Sequence, residues 1–143
     1  MAEQNNGFSD AEKAAMKERA KELREAAKIE KNRAAGDKAI EEKIAEMPAS
    51  DQKIAKGFCA LVAEVAPDLL PRTMYGMPAY SKEGKVLVML QASSKFDTRY
   101  SSLVFEDNAN LDEGAIWPTG FAITEWSDAV RDRVRELLTR AVS

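Results

Sequence analysis

The sequence predicts an α+β domain: an antiparallel sheet of about four or more strands packed by helices, behind an N-terminal helical extension. Three observations carry that prediction. Apolar residues recur at helical spacing from Met16 to Val65. From Arg72 two apolar runs flank the polar turn Ser81-Lys82-Glu83-Gly84, a strand pattern. Helical spacing then returns from Val130 to Ala141. Helices, then strands, then a helix mark segregated layers rather than βαβ alternation.

Each element has its own signal. Residues 1–8 are polar and are expected to fray. Ser9 and Glu12 form a capping-box pair, so a long helix should follow to about Ala35, with Gly36 as its stop. Its stripe of Met16, Ala20, Leu23, Ala27 and Ala34 is thin. Between Ala11 and Arg33 stand eight Lys/Arg and five Glu, a surplus of three positive charges. The glutamates are interleaved with the cations, which argues for a solvated helix over a nucleic-acid face. Packing of a partner helix on the Met16–Leu23 seam stays open.

Asp37 is expected to cap a second helix ending at Pro48, with Ile40 and Ile44 inside. Ser50 or Asp51 should open a third, whose Ile54, Phe58, Leu61, Val62 and Val65 form the strongest amphipathic pattern. Strands are expected over 72–80, 85–92, 99–106 and 120–124, and a last helix capped by Thr124 or Ser127. The chain is thus divided into an extension, 1–36, and a domain, 37–143.

Composition narrows the chemistry. No histidine is present and Cys59 is the single cysteine, so histidine-based triads, two-histidine zinc sites and thiolate cages are excluded within one chain. Cys59 lies beside an apolar stripe with no neighbouring cation and reads as structural. The net charge of −3 does not favour nucleic acid. No apolar run approaches the roughly 20 residues that span a bilayer, and the first residues lack a secretory pattern. A cytoplasmic protein, without nucleic-acid or membrane partners, is the expectation.

Three segments carry a resemblance: MYGMPAY at 74–80, KFDTRY at 95–100 and NLDEGAIWPT at 110–119. Together they resemble the YdhG-like domain family, bacterial proteins that include a frataxin-like iron chaperone. FSDAEKAAMKERAKEL looks like the helical extension of one branch. Met74 and Val104 depart from the pattern, where a large aromatic and a glycine are expected. The resemblance implies a frataxin-like α/β sandwich, brings iron into consideration as a cargo, and transfers no catalytic residues.

Two candidate sites follow, each with a structural rival. Tyr75, Met77, Tyr80, Lys95, Arg99 and Trp117 would line a ligand cleft, with the cations gripping an anion. Alternatively, the tyrosines anchor an irregular strand, the charges sit on a wet rim, and Trp117-Pro118 packs a loop. Asp107, Asp112 and Glu113, with Glu106, would offer hard oxygen ligands to iron. Alternatively, the acidic and amide residues build turns. The leading expectation is a non-enzymatic protein that binds iron weakly and passes it to an iron-accepting protein. The alternative is a protein- or small-ligand-binding module, with the chain a monomer or weak homo-oligomer in either case.

Overall fold

The computed structural model describes residues 8–143, so the expected fraying of the start falls, but for Phe8, outside the described residues. The chain divides into two compact units between Ala34 and Ala35. The first is helical. Its helix, α1 (Asp10–Ala45), begins with the expected capping box: Ser9 Oγ accepts from Glu12 N at 3.1 Å, and Ser9 N donates to Glu12 Oε1 at 3.4 Å.

Gly36 does not stop this helix. Helical hydrogen bonding continues through Gly36 and Asp37 to Ala45, so two expected helices are one. A lone glycine in a helix costs only about 1 kcal/mol, which the surrounding Ala, Lys and Glu can offset. Gly36 serves close approach instead. A Cβ there would stand 2.0 Å from the Pro71 carbonyl oxygen.

The second unit is the α+β fold that the sequence predicts. After α1 come α2 (Ala49–Val65), β1 (Leu70–Met74), β2 (Met77–Lys82), β3 (Lys85–Gln91) and α3 (Ser93–Phe96). They are followed by β4 (Ser101–Phe105), β5 (Gly120–Ile123) and α4 (Asp128–Ala141). The five strands form one antiparallel sheet in sequence order. The expected strand over 72–80 is a hairpin of two strands, because Tyr75 and Gly76 turn with φ of 53° and 77°. Positive φ at two successive residues is the signature of a type I′ turn, whose twist suits paired strands.

One side of the sheet meets the helices. Ile40 and Ile44 of α1, Ile54, Phe58 and Val62 of α2, and Val134, Leu137 and Leu138 of α4 close over Tyr80, Val88, Leu90, Leu103 and Phe105. Phe58 meets the Tyr80 ring edge-on, with centroids 5.5 Å apart. The apolar run Val86–Leu90 departs from alternation for a specific reason. Tyr80 pairs with Val88 but Ser81 with Val86, a bulge that leaves Leu87 extra and turns both Leu87 and Val88 into the core. The opposite side carries a smaller cluster of Met77, Ala79 and Met89, flanked by Met74, Val86 and Val104.

Helix ends follow their chemistry. Ser127 Oγ accepts from Val130 N at 3.2 Å and caps α4. α2 begins one residue after Pro48, with no side-chain cap. Neither Ser50 nor Asp51 opens it, because Asp51 is committed elsewhere.

Candidate functional site

The β1–β2 turn stands where several segment ends meet: the end of α1, the start of α2, the start of β2, the end of β3 and the short α3. Their convergence leaves a groove of about 400 Å³. Met47, Pro48, Met77, Pro78, Leu90 and Ala92 make it apolar, while Lys43, Glu46, Ser94 and Lys95 supply its polar groups. A volume of this size falls in the range of small-molecule sites, roughly 300–1,000 Å³.

The two lysines converge on Gly76. A Cβ on that residue would lie 3.1 Å from Lys95 Nζ and 3.8 Å from Lys43 Cε. Glycine therefore does two things here: it adopts the positive φ of the turn and leaves room for both stems. Lys43 Nζ is 3.7 Å from Glu46, with both side chains substantially exposed, so water screens that attraction. Lys95 forms no ion pair among the described residues.

The α3 N-terminus faces an internal carboxylate. Asp51, in the first turn of α2, accepts from Ser93 Oγ at 2.8 Å and from Ser94 N at 3.0 Å. Burial pushes its carboxyl upward, but the hydrogen bonds from Ser94 and Ser93 outweigh it and hold the group below its ordinary value. Attraction for an anion in the groove thus comes from Lys43 and Lys95.

Of the six expected cleft residues, the structure brings Met77 and Lys95 together. Tyr75 is 79% exposed at the tip of the turn and does not line the groove. Tyr80 is buried in the helix-covered core, where β2 alternation points it away from Met77. Burial, then the adjacent Cys59, pushes the Tyr80 phenol strongly upward, so it stays protonated. Arg99 is exposed with its guanidinium 5.2 Å from the Tyr100 ring centre. Trp117 lines a different depression. Met74 and Val104, the two departures from the family pattern, also lie outside the groove.

Sequence reasoning missed Lys43, which the core seating of Ile40 and Ile44 brings over the β1–β2 turn. It also read KFDTRY as part of a hairpin rim. Ser93–Phe96 instead forms a helical turn ending at Asp97, which adopts a left-handed φ of 52°. No local cap announces this turn, since its N-cap is Ala92 and Asp51, 42 residues earlier in the chain, receives the Ser93 and Ser94 hydrogen bonds.

The acidic segment forms a shallow trough of about 610 Å³ in which Glu106, Asp107 and Asp112 accompany Phe105 and Trp117. The segment is pinned by buried Ala109 and Leu111, and Asn110 N donates to Ala141 O at 2.9 Å. That anchoring spaces the carboxylates along a rim. Glu113 Oε2 is drawn to Arg140, 3.7 Å away. Among the described residues no group of three or more Asp, Glu or Cys side chains could hold a metal ion. The expected set of Asp107, Asp112 and Glu113 does not converge.

No protein-family model, no curated protein and no solved structure matches the chain. The resemblance to the YdhG-like domain family therefore rests on the three quoted segments, and the site's geometry must carry the functional reading. Among the described residues no helix is long and apolar enough to cross a membrane.

Proposed function

We propose that the chain is a non-enzymatic binding module for a small ligand with one anionic group and an apolar body, held in the groove beside Gly76. The convergence of Lys43 and Lys95 over one glycine, above an apolar floor, is the observation that carries this reading. Lys43, Lys95 and Glu46 together leave one net positive charge on the groove, two minus one, which matches a monocarboxylate. The lysine ends are flexible point charges, so they suit a carboxylate of variable orientation better than a fixed bidentate clamp.

Several features support this over the alternatives. MYGMPAY supplies Gly76, Met77 and Pro78 to the groove and KFDTRY supplies Lys95, so two of the three segments behind the YdhG-like resemblance contribute to it. Cys59 does not line the groove, and burial pushes its thiol upward, away from the reactive thiolate. Iron delivery has no converged ligand set among the described residues to support it.

Octanoate and 1-octanol, which share an alkyl chain and differ in charge, provide the test by amide NMR titration. Octanoate should shift Gly76, Met77, Ala92 and Lys95 saturably, with 1-octanol at least tenfold weaker. Lys43→Gln combined with Lys95→Gln should erase that difference, worth about 1.4 kcal/mol per factor of ten. Equal response to both compounds, or shifts centred on 106–113, would refute the reading.

A further inference from the structure

The charges of the first unit look interleaved in sequence, yet the helix sorts them. Lys13, Lys17, Lys21, Arg24, Lys28 and Lys31 follow steps of four, four, three, four and three residues. That is the repeat of one helix face, so within α1 they form one file about 27 Å long at 1.5 Å per residue. Between Lys13 and Lys31 no acidic residue shares that file, and Asp10 stands on the same face at its N-terminal end. Glu18, Glu22 and Glu25 form a second file at steps of four and three, on another side of the helix. The basic file lies between those glutamates and the stripe of Met16, Ala20, Leu23 and Ala27, which runs along its other edge.

None of the six cations forms an ion pair among the described residues. Ion pairs of this unit among the described residues include Arg19 with Glu22 at 3.8 Å and Arg33 with Glu30 at 3.7 Å, both outside the basic file. Met16 and Leu23 are 53% and 54% exposed. The helix therefore presents a row of positive charge free of close ion pairs among the described residues, directly beside exposed apolar side chains.

We propose that α1 between Lys13 and Lys31 docks an acidic amphipathic helix of another protein. The apolar seam would pack against the partner's apolar stripe, and the partner's carboxylates would lie along the basic file. Ala20 and Ala27 keep the seam low, which lets two backbones approach closely. Charge complementarity selects this occupant. A second copy packed antiparallel would set the basic file against itself, which like-charge repulsion opposes. A phosphate backbone would use the basic file and leave the adjoining seam uncovered. A lipid surface would gain little from two large apolar side chains.

Two fluorescent synthetic helices of about 25 residues test this on the full chain by anisotropy. Both carry the same Leu/Ala seam; one has a flanking file of Glu, the other Gln at those positions. The Glu helix should bind at least tenfold tighter at low salt and lose that preference as salt rises. Reversing Lys17, Lys21, Arg24 and Lys28 to Glu should abolish its binding, and Leu23→Glu should weaken both probes, with helicity by circular dichroism retained. No binding of the Glu helix, or equal binding of both helices, would overturn the proposal. So would tighter binding to duplex RNA or phosphatidylglycerol vesicles, or a concentration-dependent dimer lost in the reversed variant.

Discussion

Replacing Gly36 by alanine should destabilise the protein, although helix propensity alone predicts the reverse. In an exposed helix interior that change gains about 0.8–1 kcal/mol. Here the new methyl would lie 2.0 Å from Pro71 O and 2.7 Å from Pro71 C. Those are backbone atoms of β1, so relief requires the helix and the strand to separate by an ångström or more. Overpacking of this kind typically costs about 1–3 kcal/mol and sometimes more. Setting that against the propensity gain leaves a net loss of up to about 2 kcal/mol. For a domain of this size each kcal/mol moves the midpoint by roughly 3–5 °C. Thermal unfolding followed by circular dichroism gives the number, with Ala35→Gly as the propensity control, since Ala35 is exposed on the same turn. Ala35→Gly should also cost about 1 kcal/mol. If Gly36→Ala raises the midpoint, the close crossing of α1 and β1 is wrong, and with it the reason that a glycine stands inside a helix.

Three further outcomes follow from particular contacts. Gly57→Ala would place a methyl 2.3 Å from Trp126 Nε1, so the indole must swing outward. In a Trp117→Phe background the emission should shift to the red, and an unchanged spectrum would show that the indole does not rest on α2. Asp51→Ala removes two hydrogen bonds to a buried carboxylate, each worth about 1.5–3 kcal/mol. Because the folded Asp51 carboxyl lies below its ordinary value, its stabilisation is full above the unfolded value near 3.9 and is lost as pH falls through the folded one. The acid limb of wild-type stability should therefore flatten in Asp51→Ala, and an unchanged limb would exclude this carboxylate. Deleting residues 1–30 should preserve a cooperative unfolding transition, because the buried core begins at Ile40. Loss of cooperativity would show that the Met16–Leu23 seam belongs to the core.

Local chemistry made much of the fold readable in advance. The Ser9–Glu12 box, the Ser127 cap and the stripes of α2 and α4 act through neighbours three or four residues away, a range that sequence displays directly. Failures came where a distant element overruled a local rule. Gly36 and Asp37 resemble a stop and a restart, yet the close passage of Pro71 requires a glycine there and the helix runs on. Tyr75 is an unusual residue for positive φ, so the sharp turn after Met74 was hidden inside an apparent strand. The bulge at Leu87 cannot be inferred from β3 alone, since it exists only in register with Tyr80 and Ser81.

The candidate site was half legible for the same reason. Strand alternation explains why Tyr80 cannot share a face with Met77, and the turn explains why Tyr75 leaves the groove. Lys43 had no local sign of a role. It is one of many lysines on a charged helix, and only the seating of Ile40 and Ile44 in the core sets it over Gly76 opposite Lys95. The converse holds for residues 13–31, where charges that alternate along the sequence become separate files once wound at 3.6 residues per turn. In both places the meaning of a lysine is set by helix phase. Lys43 stands between the buried Ile40 and Ile44, so the seating of these two side chains in the core, together with the close packing of α1 on β1 at Gly36, holds the groove's second positive charge in place.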